Sequence, residues 1–447
     1  MSIHARSAAF ADAAQIAGDS YYEHTVERLP VRPKLTDRVD AEVAVIGGGF
    51  TGMSAAIELA RQGRKVVLLE AERVAGAASG RCGGQVLPGF GCDVDLLTAQ
   101  LGPEDARRAW DWSVEGMGIV RERALQGGAD CEFTPGWLYL AARESHVDDL
   151  RAWHQSLGQD WGYGQHVDWV EGPATQTWTA SPHYHAAIID HYAGHLNPLK
   201  LALAMQRQCE ALGVQIHEYS PVGRVDMGAK SVVHTPEGRV HADQVVVAAN
   251  VFIDGLNFTG GKRPPNLKRR VMPVGNTMIA TAPMAPELSA RLLRKRYAAC
   301  DSNFLLDYYR ITPDHRMIFG GGSTYLKHDG ADRIDALRRK MVHLYPELAE
   351  LPVEYTWGGL IDVTMSRAPD FGRLDDRVFY LQGFSGHGVN TTAMAGRVAA
   401  EAVLGQPERF DVFSRIRHRD FPPGRLLRRV ALWSGTVYYR VRDALSS

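Results

Sequence analysis

Three glycines, Gly47, Gly49 and Gly52, interrupt an apolar stretch over residues 43–70 at the spacing G-x-G-x-x-G. The first allows a sharp turn, the second lets a pyrophosphate touch the backbone, and the third lets a helix pack closely on a strand. The segment Gly47, Gly48, Gly49, Phe50, Thr51, Gly52 would therefore offer backbone N–H groups to a dinucleotide phosphate at a helix N-terminus. Glu70, followed by Ala71, lies about 20 residues beyond the glycines, where a carboxylate accepts hydrogen bonds from a ribose diol. That favours FAD or NAD over NADP.

A second glycine turn, Gly386, His387, Gly388 and Val389, follows an apolar run at 378–382 and opens a helical stretch from about residue 390. Its N–H groups would meet negative charge in the same way, and His387 is either a proton relay or a residue packed into the turn. "AASGRCGGQ" supplies the small-residue loop Ser79, Gly80, Arg81, Cys82, Gly83, Gly84 and Gln85, too rich in glycine for a helix. Tyr308, Tyr309 and Arg310 stand in one strand-like run. Alternation sends Tyr308 and Arg310 to one face and Tyr309 to the other, so a single face lines any cavity. His183, His185, His191 and His195 lack metal-ligand spacing, and no metal site is expected. In "GFSGH" the closing glycine of a nucleophile elbow is His387, which argues against a serine hydrolase.

These residues need parallel strands joined by helices to hold them. The runs 43–46, 65–69, 214–218, 245–249 and 378–382 read as strands, and Asn197 with Pro198 makes a good helix start. Between them, "MPVGNTMIATAP" and "FLLDYYRITPDHRMIFGGG" read as an antiparallel sheet. The expected fold is α/β, a discontinuous Rossmann-like FAD-binding domain (37–92, 190–255 and 368–405) with an inserted antiparallel-sheet α+β substrate domain (93–189 and 256–367). An N-terminal arm (1–36) and a basic C-terminal extension (406–447) flank them. At 447 residues the chain exceeds the roughly 250–300 at which single cores stop growing, which suits two domains.

The balance of 50 basic and 51 acidic side chains argues against nucleic-acid binding driven by global charge. Five scattered cysteines without a C-x-x-C pair fit reduced thiols in the cytoplasm. No run approaches the ~18 apolar residues of a membrane span, and the N-terminus lacks a signal peptide's apolar region.

"GGGFTGMSAA", "AASGRCGGQ", "VVVAAN" and "QGFSGHGVNTTAMAG", spread over nearly the whole chain, together resemble the D-amino-acid oxidase superfamily of FAD-dependent amine oxidoreductases. The resemblance implies a pyrophosphate at Gly47 to Gly52, an adenosine ribose at Glu70 and an adenine against the backbone of Val222. The 79–85 loop would pass the pyrophosphate and isoalloxazine. Residues 386–389 would face the flavin N1/O2 edge, where negative charge gathers on reduction. Cys82 replaces the asparagine of similar proteins. "DVTMSRAPDFGRLD" lacks the cysteine that tethers flavin in the sarcosine oxidase branch, so non-covalent FAD is expected. Tyr308, Tyr309 and Arg310 would border the substrate.

"SYYEHTV", "LLDYYRIT" and "SRAPDFGRLD" are closest to the branch serving polyamine catabolism, which implies gamma-glutamylputrescine as substrate. The expected reaction oxidises a C–N bond to an imine that hydrolyses to aldehyde and ammonia, with dioxygen or another acceptor taking the electrons. One alternative is an amino acid or N-methyl amine as substrate, whose carboxylate would need Arg81 or Arg310. Another is a non-catalytic flavin-binding protein docking through the basic tail. The sequence leaves the oligomeric state open.

Overall fold

The computed structural model describes residues 18–126, 130–260, 266–303, 306–324 and 330–422. The strand–turn–helix expected at the first glycines is present as Arg38–Ile46 followed by the helix Phe50–Arg61. Gly47 needs its left-handed φ of 110°, and a Cβ there would sit 2.4 Å from the Ala248 carbonyl oxygen of the neighbouring strand's end. At Gly52 a Cβ would be 1.9 Å from the Gly47 oxygen, so only glycine lets the helix close on the strand.

Five parallel strands run in the order Gln215–His217, Val66–Leu69, Arg38–Ile46, Arg239–Val247, Val378–Gln382. The long Arg239–Val247 strand serves two partners on one edge. Its first half pairs antiparallel with Ser231–His234 and its second half parallel with Val378–Gln382. Helices Phe50–Arg61, Pro198–Ala211 and Gly388–Val403 cover one face of this sheet. The Pro198 helix starts as its sequence implies, with the Asn197 side chain accepting the Lys200 N–H at 3.2 Å.

The second sheet runs Val353–Thr364, Val271–Thr281, Met317–Thr324, Tyr308–Ile311, Ala298–Asp301, Thr134–Leu140, Ala186–His195, Gln85–Val86. Neighbours are antiparallel except Ala298–Asp301 with Thr134–Leu140, which are parallel. Two sequence boundaries fall differently in space. The boundary expected at 190 lies inside the strand Ala186–His195, and Gln85–Val86, from the first expected nucleotide segment, pairs with that strand. Periodicity marks a strand but not which sheet receives it.

The N-terminal segment from Gly18 is also part of the core. Gly18–Asp19 pairs with Trp357 and Thr356, and Tyr22 is fully buried with its ring 5.2 Å from Trp357. Of the basic extension, Glu408–Ser414 is helical and buries Phe410 and Phe413, while Trp433, Tyr438 and Tyr439 lie outside the described residues. No described helix is long and apolar enough to cross a membrane.

Candidate active site

A cavity of about 2530 Å³ opens where the two sheets meet. Ligand pockets usually occupy ~300–1,000 Å³, so this one has room for a dinucleotide and a second molecule. It brings together Gly47, Gly49, Phe50, Thr51, Glu70, Ala71, Ser79, Arg81 to Gln85, Val222, Tyr308 and Gly386 to Val389. Gly48, Gly52, Gly80, Tyr309 and Arg310 are not among the lining residues.

At the first turn Gly49 is the N-cap of Phe50–Arg61 and, lacking a side chain, makes no cap bond of its own. Ser79 Oγ accepts the Phe50 N–H at 2.9 Å, and a Cβ at Gly49 would stand 2.9 Å from the same oxygen. Glu70 accepts the Gly48 N–H at 2.6 Å and the Glu72 N–H at 3.0 Å. Burial raises the Glu70 pKa, opposed by these N–H groups. Its carboxylate thus fastens the glycine turn, and each oxygen keeps a lone pair for a further donor such as a ribose hydroxyl.

At the second turn His387 is the N-cap of Gly388–Val403, again without side-chain capping. Two helix N-termini therefore face one cavity, which suits a ligand with negative charge at two places. The two helix N-termini, the bare backbone at Gly49 and the acid at Glu70 fit FAD. His387 Nε2 lies 3.3 Å from the Leu87 carbonyl oxygen, and burial pushes its pKa down to about 4, so the imidazole is neutral at physiological pH. Ser385, left-handed at φ 53°, gives its hydroxyl to the Gly383 oxygen and accepts the Thr364 N–H.

The Tyr308 ring fills the space left by two glycines: a Cβ at Gly83 would lie 2.9 Å from it and one at Gly320 2.5 Å. Its hydroxyl donates to Asn276 Oδ1 at 2.9 Å, and burial raises its pKa, so it remains a neutral phenol. The expectation that Tyr309 borders the substrate is corrected. Strand alternation turns it into the core, where its hydroxyl bonds to Tyr184 at 3.0 Å and Tyr345 at 3.2 Å. Arg310 is also withdrawn from the cavity. Only 1% exposed, it donates from Nε to the Gly83 oxygen at 3.0 Å and from Nη2 to the Tyr22 hydroxyl at 3.3 Å. It positions the cavity-lining 79–85 loop from behind.

Among the cavity residues that the sequence reading missed are Asp362 and Arg367. Asp362 interrupts the apolar run Leu360, Ile361, Val363, and that charge inside a strand was the available signal. Arg367 gave no local signal, but its left-handed φ of 61° marks a residue held by its surroundings. Trp137 stacks on Tyr139 at 5.3 Å to form an apolar wall, with its buried Nε1 unpartnered among the described residues. Three of the four histidines flagged in the sequence are engaged separately: His191 with Asp168 and Tyr297, His195 with the Arg296 oxygen, and His183 against the His343 ring.

The profile of the FAD dependent oxidoreductase family, DAO, matches residues 42–402. The chain belongs to this family. Gamma-glutamylputrescine oxidoreductase of Escherichia coli is 36% identical over 95% of this chain and 98% of its own length. A probable oxidoreductase of Haemophilus influenzae is likewise 36% identical, over 95% and 97%. Glycine oxidase from Geobacillus kaustophilus has a similar fold, with a TM-score of 0.69 at 21% identity over 85% of this chain and 99% of that one. As a DAO-family member the protein is an FAD-dependent oxidoreductase, and its fold is of the α/β class.

Proposed function

We propose that this oxidoreductase acts on the C–N bond of a small amine, gamma-glutamylputrescine, giving an imine that water hydrolyses to an aldehyde and ammonia. The end-to-end relationship to the Escherichia coli enzyme carries this reading. Bound FAD would supply a two-electron acceptor at the two glycine turns. The chain's own residues bind and orient. Gly47 to Gly52 and Glu70 would hold the dinucleotide end, the 79–85 loop would line its length, and the N–H groups at Gly388 and Val389 would favour negative charge there.

Trp137, Tyr139 and Tyr308 wall the substrate side and exclude water. A poorly hydrated wall lowers the pKa of a substrate ammonium and favours the neutral amine that reacts. His387, neutral and directed at the Leu87 carbonyl, anchors the turn. FAD is proposed to be bound without a covalent link, and dioxygen is proposed as the acceptor. The proposed setting is the cytoplasm.

Anaerobic mixing with gamma-glutamylputrescine, putrescine, sarcosine and a D-amino acid, followed at the oxidised flavin band, tests the reading. Gamma-glutamylputrescine should reduce the flavin much faster than putrescine, because the glutamyl group adds binding energy remote from the reacting carbon. The rate should rise with pH as the amine loses its proton. Fast reduction only by sarcosine or a D-amino acid would move the protein to another substrate of the same chemistry.

A further inference from the structure

Among the described residues five arginines line the cavity and no lysine does: Arg28, Arg73, Arg81, Arg107 and Arg367. Four are engaged. Arg28 pairs with Glu23 and the Val74 oxygen, and Arg73 with Glu218 and the Leu29 oxygen. Arg81 reaches the Gly76 and Gly358 oxygens, and Arg107 holds Asp111 and the Asp160 oxygen. The Arg367 guanidinium has no hydrogen-bond or ion-pair partner among the described residues.

Its position within the cavity follows from what its charge reaches. Cys92, Tyr139, Cys300 and His387 are four cavity-lining groups; burial raises the first three and lowers His387, and the Arg367 charge acts downward on all four. Arg367 therefore shares this part of the cavity with the second glycine turn and the aromatic wall. Its carrier loop is fixed. The Arg367 N–H is bonded to the Thr364 oxygen, and the Arg367 oxygen would be 3.1 Å from a Cβ at Gly91. Asp93, an exposed N-cap whose side chain makes no cap bond, also acts on Cys92 and Tyr139 without forming an ion pair with Arg367.

A guanidinium that lines the cavity without a partner among the described residues, on a backbone held in the left-handed region, leaves its forked donors available to a ligand's carboxylate. We infer that Arg367 docks a carboxylate of the substrate, so that the enzyme selects amines that also carry an anionic end over simple diamines. This rests on the amine-oxidising reading above and names the part of the substrate that this chain recognises. It also transfers to Arg367 the role that the sequence had offered to Arg81 or Arg310.

The test compares the holoenzyme with Arg367→Asn, which removes the charge while tolerating the left-handed backbone, and with Arg367→Lys. Each is mixed anaerobically with gamma-glutamylputrescine and with its carboxamide, in which the carboxylate alone is neutralised. Independently of turnover, gamma-glutamylbutylamide, which keeps the carboxylate but has no reacting amine, is titrated against the oxidised flavin band. The wild type should favour acid over amide by about 10- to 100-fold in half-saturation, as expected for a charge-assisted contact. Arg367→Asn should erase that preference and weaken gamma-glutamylbutylamide by a similar factor, with Arg367→Lys between them.

Equal use of acid and amide by the wild type overturns the inference even if neither variant folds, as does a preference that survives in Arg367→Asn. Should the wild-type flavin be reduced by sarcosine and not by gamma-glutamylputrescine, the substrate reading fails separately. The preference for sarcosine over sarcosinamide then decides the role of Arg367.

Discussion

The buried carboxyl of Asp362 accepts the Gly383 N–H at 2.5 Å, tying the strand Val353–Thr364 to the turn that opens the helix Gly388–Val403. It also accepts the Phe384 N–H at 3.3 Å. Asp362→Ala would leave two interior donors unpartnered, at a cost of about 2–4 kcal/mol. Urea unfolding of the holoprotein should register that loss, together with weaker FAD retention. A stable variant with normal FAD content would remove Asp362 from the support of the turn.

Burial pushes Asp362 up to about 7, opposed by the N–H groups of Gly383 and Phe384. Because an unfolded aspartate titrates near pH ~3.9, the folded state holds the proton more tightly. The group's stabilisation is complete below about pH 4 and is lost as pH rises through about 7. Asp301, also raised to about 7 chiefly by burial, has the same sign. Asp362→Asn should therefore flatten part of the fall in stability between about pH 4 and about pH 7. Parallel wild-type and variant profiles would contradict the assignment.

The two glycines of the first turn should fail differently. A Cβ at Gly52 meets backbone 1.9 Å away, whereas one at Gly49 meets a serine hydroxyl at 2.9 Å. Gly52→Ala should yield little folded protein. Gly49→Val should keep a native far-UV circular dichroism spectrum and lose the visible flavin band. A yellow Gly49→Val protein would refute a pyrophosphate at that position.

Tyr308 and Tyr309 should separate function from stability. Tyr309→Phe removes a hydroxyl bonded to Tyr184 and Tyr345 and should cost about 1–2 kcal/mol without changing the flavin reduction rate. Tyr308→Phe should alter the half-saturating amine concentration and leave the unfolding midpoint nearly unchanged. Rapid-reaction traces and denaturation curves on both variants check this, and a reversed pattern would exchange the two roles.

Acid precipitation should leave all FAD in the supernatant. Cys82, Cys92 and Cys300 line the cavity, but burial raises all three thiols, Cys82 to about 11 and Cys92 to about 12, which keeps them protonated and unreactive. Cys82→Ser should hold as much FAD as the wild type. Flavin remaining with the pellet would point to a covalent link through one of these residues.

The sequence by itself determined what depends on neighbours along the chain. The glycine spacing fixed a strand, a turn and a helix, Asn197 and Pro198 fixed a helix start, and alternation put Tyr308 and Tyr309 on opposite faces. Local backbone geometry and side-chain period suffice for these. Which face of Tyr308–Ile311 meets the cavity was decided by its pairing with Met317–Thr324, and the sheet that takes Ala186–His195 by its pairing with Thr134–Leu140. Tertiary structure likewise withdrew Arg310 behind the Gly83 loop, engaged Arg81 with backbone carbonyls, and left Arg367 in the cavity without a partner among the described residues. A charged side chain's role depends on which distant groups satisfy it, and residues 83 and 310, 227 apart in sequence, meet only in the folded chain.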